Sequence, residues 1–77
     1  MITKNYNNTF NEIISELERA KVHPEFHSFH EFYGVLIEEV DELFDEIKKK
    51  QQDKQRIKEE AIQVAAMVFK MIDNLID

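Results

Sequence analysis

The sequence has no cysteine, a single glycine and a single proline in 77 residues, and no long apolar run. Without cysteine, disulfides and thiolate metal sites are excluded, and the composition is compatible with the cytosol. The first residues, Met1-Ile2-Thr3-Lys4-Asn5, hold no apolar export core. No window approaches the roughly 20 apolar residues of a membrane span, so a cytoplasmic protein with no membrane partner is expected. Positive charge is scarce as well. Ten basic residues stand against sixteen acids, a net charge of -6. That balance argues against nucleic acid as the main partner, because phosphate backbones need a clustered basic surface. The one basic run, Lys48-Lys49-Lys50, falls where a helix should end, a position that the helix dipole favours for cations.

What the chain does have is charge, on a third of its residues, and a helical rhythm. With so few turn formers, long helices joined by short turns are expected. Thr9-Phe10-Asn11-Glu12 has the form of a capping box and predicts a first helix over about 9–20, broken by His23-Pro24. A second box, Ser28-Phe29-His30-Glu31, opens a helix over 28–50. Asp53 is the expected cap of a third helix over 53–76. On the second helix, Phe29, Tyr33, Leu36, Val40, Leu43 and Ile47 recur at spacings of three and four, and Phe32, Ile37 and Phe44 widen the stripe. The third helix has two apolar sets, Ile57-Ala61-Val64-Val68-Met71-Leu75 and Ile62-Ala65-Phe69-Ile72-Ile76, covering roughly half its circumference at about 100° per residue.

A chain this short buries too little surface to be comfortable alone, and without disulfides its support must be a metal, a partner chain or both. One neighbouring helix cannot cover the third helix. The expected fold is therefore all-α: one domain over 1–77, an antiparallel bundle of three main helices completed by homo-oligomerisation. Ala65-Ala66 marks a place for close helix approach.

Six of the nine residues from Glu38 to Glu46 are acids. A run of this kind is commonly a solvated face. Angular placement separates them: Asp41 and Asp45 lie well away from the apolar stripe, while Glu39 borders it and Glu42 and Glu46 continue its side. Carboxylates three or four residues apart can converge on one hard cation, and without it they repel by a few tenths of a kcal/mol per pair. On the third helix, Glu60, Gln63, Lys70 and Asn74 form a polar stripe that is either its solvent side or the wall of a cleft shared with the second helix.

The residues Glu38, Glu39 and Glu42 form an E-E-x-x-E motif, followed on the next helix by Glu60-Ala61-Ile62-Gln63 in the place of an E-x-x-D motif. Together with His27 to Glu31, Val35 to Leu43 and Val64-Ala65-Ala66-Met67, this pattern over about residues 23–76 resembles the MazG-like all-alpha nucleoside triphosphate pyrophosphohydrolases. The resemblance implies Mg²⁺ or Mn²⁺ as cofactor, a (d)NTP as substrate, (d)NMP and pyrophosphate as products, and a homodimer or homotetramer. It implies Glu39, Glu42, Glu60 and Gln63 as the metal set, with Glu38 orienting the attacking water and Glu38 or Glu46 compensating for Gln63. The departure is Gln63, where the motif has an acid: an amide offers a carbonyl oxygen but no charge, which weakens divalent binding. The alternative function is a non-catalytic helical oligomer that binds a nucleotide or a protein.

Lys70 and Asn74 are candidates for substrate contact, beside the plainer reading of Lys70 as a solubilising lysine. His23, His27 and His30 cluster without a zinc pattern, and His30 is carried as a candidate substrate residue. Phe26, Phe32 and Tyr33 suit the core, or a base to stack on.

Overall fold

The computed structural model describes residues 6–19 and 25–77. They form three helices and no strand: α1 (Asn7–Arg19), α2 (Phe29–Ile47) and α3 (Lys54–Met71), the last extended by a π-helical turn over Ile72–Ile76. The all-helical expectation holds. The break at His23-Pro24 lies outside the described residues.

Both caps of the longer helices form as their sequences dictate. The Ser28 hydroxyl accepts the Glu31 amide at 3.1 Å. Glu31 returns the interaction one residue early, its Oε1 accepting the His27 amide at 2.7 Å. Asp53 Oδ1 accepts the amides of Gln55 at 3.0 Å and Arg56 at 3.3 Å. The first helix departs from its expected box. The Phe10 amide already donates to the Tyr6 carbonyl at 2.9 Å, so α1 begins at Asn7 and Thr9 is interior. Nothing between Tyr6 and Thr9 breaks a helix, and an earlier start adds backbone hydrogen bonds.

At its other end α2 stops at Ile47, short of the lysine run. No glycine supplies a left-handed cap, so a side chain takes that place: Gln52 Nε2 donates to the Ile47 carbonyl at 2.8 Å. Lys48 and Lys49 then pair back one turn, with Asp45 at 3.1 Å and Glu46 at 3.0 Å. The tight turn makes α2 and α3 antiparallel neighbours, and the far end is tied by the Phe26 amide donating to Asn74 Oδ1 at 3.0 Å. Helix α1 packs on a different side of α3, through Lys58 to Glu12 at 2.8 Å and the Phe69 and Phe10 rings at 6.4 Å.

The core is thin. Among the described residues the buried apolar side chains are Phe26, Phe32 and Ala66, the two rings meeting edge to face at 5.4 Å. The apolar stripe read on α2 divides in two. Leu36 and Leu43 turn partly inward, whereas Phe29, Tyr33, Ile37, Val40, Phe44 and Ile47 are exposed. Two glutamates, Glu46 and Glu60, are buried in their stead, each only 8% exposed. No helix among the described residues is long and apolar enough to cross a membrane.

Candidate metal centre

Helical spacing brings Glu39 and Glu42 of α2 to one side, a turn apart. The antiparallel α3 then sets Glu60 against them. One carboxylate oxygen from each of the three lies within 4.8 Å of the others. Glu42 is exposed, Glu39 half-buried and Glu60 buried, so the group spans from solvent into the interface between α2 and α3. The polar stripe of α3 is therefore the wall of a cleft and not its solvent side.

The electrostatics are those of an undercompensated cluster. Burial is the main cause that raises the Glu39 carboxyl above its ordinary value, followed by the negative charges of Glu42, Glu60, Glu16 and Glu38. Glu60 is raised too, first by burial, then by Glu42, with Glu46 adding to it and Arg56 working against it. A hydrogen bond to Glu42 also favours the protonated form of Glu60. Arg56 is the nearby counter-cation, with its guanidinium 3.6 Å from Glu60 Oε1, 3.8 Å from Glu46 Oε2 and 3.2 Å from Glu59 Oε1. It is shared among three acids and satisfies none of them fully.

Two buried oxygens, Glu39 Oε2 and Glu60 Oε2, accept no hydrogen bond at all. Leaving buried acceptors unsatisfied costs on the order of 1–3 kcal/mol each, more where they carry charge. A hard divalent cation is the group that these residues fit. It takes oxygen donors, prefers carboxylates, keeps some water on its open side and removes the mutual repulsion. Glu42, facing solvent, leaves that open side.

Beside the cluster lies a cleft of about 390 Å³ between the three helices. Glu39 and Gln63 are on its wall, with Phe26, Val35 and Met67 as apolar lining and Arg19 and Lys70 as cations. The Lys70 ammonium sits 5.0 Å from the centre of the Phe26 ring. The lining is mostly charged and net negative: Glu16, Glu25 and Glu31 join Glu39 against the two cations, and Arg19 is paired with Glu16 at 2.6 Å.

The expected residues thus separate. Glu39, Glu42 and Glu60 converge, while Gln63 and Lys70 share the adjoining cleft. Glu38 is exposed and reaches the group through its charge on Glu39. Asn74 is engaged in holding the Phe26 amide. His30 and His27 are exposed and do not line the cleft, and His23 lies outside the described residues. Sequence reasoning missed Arg19 and Glu16, because nothing in α1 itself signals which side meets α2. It also missed Arg56, whose position one turn before Glu60 looks like an ordinary helical ion pair. The chain matches no protein-family model, no curated protein and no solved structure.

Proposed function

We propose that this chain is a metal-dependent nucleotide pyrophosphohydrolase, converting a (d)NTP to (d)NMP and pyrophosphate with Mg²⁺ or Mn²⁺. The observation that carries the reading is the convergence of Glu39, Glu42 and Glu60 at the edge of a cleft, with two buried carboxylate oxygens unsatisfied. The MazG-like motif pattern supplies the reaction class; the acid cluster is compatible with it. When bound, the metal would neutralise phosphate charge and make water a better nucleophile. The protein's part is then binding and orientation. Glu39, Glu42 and Glu60 hold the ion, and Gln63 offers a carbonyl from the same wall. Lys70 is the cation on the cleft wall for phosphate oxygens, with Arg19 beside it paired to Glu16 at 2.6 Å, the bound ion offsets the acids of the lining, and Phe26 and Met67 give an apolar surface for the rest of the nucleotide. Glu38, exposed beside Glu39, is the carboxylate assigned to orienting the attacking water.

A second reading, a helical oligomer that binds a nucleotide or a protein without turnover, is favoured by one observation. Gln63, in the place of an acid, leaves three carboxylates where the motif has more. Pyrophosphate release from a panel of (d)NTPs with Mg²⁺ and Mn²⁺ separates the two. Release that disappears in the Glu39→Ala/Glu42→Ala variant supports the hydrolase. Silence across the panel from a folded protein, with metal affinity emerging only in Gln63→Asp, supports the binding role.

A further inference from the structure

One buried charge has no part in the site just described. Glu46 is 8% exposed on α2, in a core where the buried apolar side chains among the described residues are Phe26, Phe32 and Ala66. Burying a carboxylate is costly unless it is paired, and even a paired one is weak support for a fold, since apolar replacements of similar volume are often neutral or better. Glu46 is not a stand-in ligand for Gln63 either. Both of its oxygens accept from Lys49 Nζ, at 3.1 and 3.0 Å, and Oε2 also faces the Arg56 guanidinium of α3 at 3.8 Å. Its one reach across to the other helix is therefore through Arg56.

The helical period sets this contact directly beside the acid cluster. Glu46 follows Glu42 by one turn and Arg56 precedes Glu60 by one turn, so on antiparallel helices they form the next layer toward the tight turn. Arg56 spans that layer. Its Nη2 lies between Glu46 Oε2 and, at 3.6 Å, Glu60 Oε1, while Nη1 meets Glu59 Oε1 at 3.2 Å. The two oxygens of Glu60 thereby stand in different surroundings. Oε1 faces the guanidinium, and Oε2, buried and without a hydrogen bond, is left to the cluster. A glutamate side chain is free to turn, and a cation held against one oxygen removes much of that freedom.

We infer that Glu46 and Arg56 are positioning residues for the metal centre: Glu46 anchors the guanidinium from α2, and the guanidinium holds Glu60 Oε1 so that Oε2 is aimed at the ion. Ligand carboxylates are commonly oriented by such outer partners, and losing one typically costs about 10–100-fold in metal affinity. Because Arg56 takes one oxygen of Glu60 and the ion the other, the two cations do not compete for it. Arginine suits the place, since its planar fork faces several acids at once and a lysine ammonium does not. The inference rests on the metal reading of the acid cluster and not on the identity of the substrate.

Mn²⁺ titration of the full chain, followed by the paramagnetic resonance of the free ion, tests this role without turnover. Arg56→Gln is the deciding variant. The side chain is 51% exposed, so the substitution spares the fold, and the sign of its effect separates the accounts. It removes a positive charge beside the ion, which by charge alone tightens binding. Loss of positioning instead weakens binding, by about tenfold or more. Arg56→Lys returns the charge without the fork and recovers part of the affinity. Glu46→Gln also weakens binding, and adds little in an Arg56→Gln background, because residues that act through one another are not additive. Glu59→Gln, the same charge change at an exposed partner of the same arginine, weakens it by less than about twofold. Metal-free melts by circular dichroism show that each variant is folded at the titration temperature. Unchanged or tighter Mn²⁺ binding by folded Arg56→Gln, or Glu46→Gln no weaker than Glu59→Gln, overturns the positioning role and leaves the metal centre standing. A wild type that binds no Mn²⁺ removes both.

Discussion

Replacing Glu60 by glutamine should make the metal-free protein more stable while removing its affinity for divalent ions. The magnitude follows from the cluster. Three carboxylate oxygens lie within 4.8 Å of one another. Two unit charges at that separation repel by about 1 kcal/mol in water and about 3–4 kcal/mol near a protein surface. Glu42 is exposed and Glu39 only half-buried, so solvent screens both pairs and the lower figure is the better guide. Glu60→Gln relieves two such pairs, about 2 kcal/mol, and loses the long Arg56 contact at 3.6 Å, worth about 0–1 kcal/mol. The net gain is about 1 kcal/mol, a rise of roughly 4–8 °C in Tm for a domain of this size. Thermal melts by circular dichroism in EDTA read this gain directly. In the wild type, Mn²⁺ at a hundredfold excess over its Kd adds about 2.7 kcal/mol, and in the variant this increment disappears. The competing account makes Glu60 simply the partner of Arg56. It demands the opposite sign: a lower metal-free Tm for Glu60→Gln and a wild type indifferent to Mn²⁺. Those two results together would refute the reasoning.

The same cluster sets a pH dependence. Glu39 and Glu60 both titrate above their ordinary 4.5 in the folded chain, so between that value and the raised one the native state holds more protons than the unfolded. The stability they lend is present below the unfolded value and lost as pH rises through the folded ones. Metal-free Tm should therefore climb as pH falls from neutral toward about 4.5, with a slope shallower in Glu60→Gln; an unchanged slope removes the cluster as its cause. Asp53→Ala removes the acceptor for two amides at the start of α3 and should cost about 1 kcal/mol in urea unfolding, whereas a loss within error would show that the cap is redundant. Gln63→Asp adds a charge to the cleft wall beside Glu39. Calorimetry should show tighter Mn²⁺ binding and melts a lower metal-free Tm, and a variant that gains neither would place position 63 outside the site.

Local chemistry was legible residue by residue. Ser28, Glu31 and Asp53 act within a turn of themselves, so their capping roles could be read before any packing was known. The spacing of Glu39 and Glu42 fixed that those two would lie on one side of α2. Where a second helix had to be placed, the sequence fell silent. Whether the polar stripe of α3 faced water or a cleft depended on how α3 rotates about its axis, and its helical period is the same in either case. Only the antiparallel packing set Glu60 against Glu39 and Glu42. The burial of Glu46 and Glu60, and the exposure of Phe29, Tyr33 and Phe44, run against hydropathy, because a thin three-helix core has room for only part of a stripe that wide. Asn74 could be counted as a cleft residue from its position, but the tertiary fold gave its oxygen to the Phe26 amide. Composition and period thus determined three helices and the N-terminal caps of the longer two, through interactions that reach no further than a turn, while α1 began earlier and α2 stopped sooner than their sequences suggested. The tertiary structure decided which acids meet and which apolar face stays open, because both depend on the rotation and approach of helices far apart in the chain.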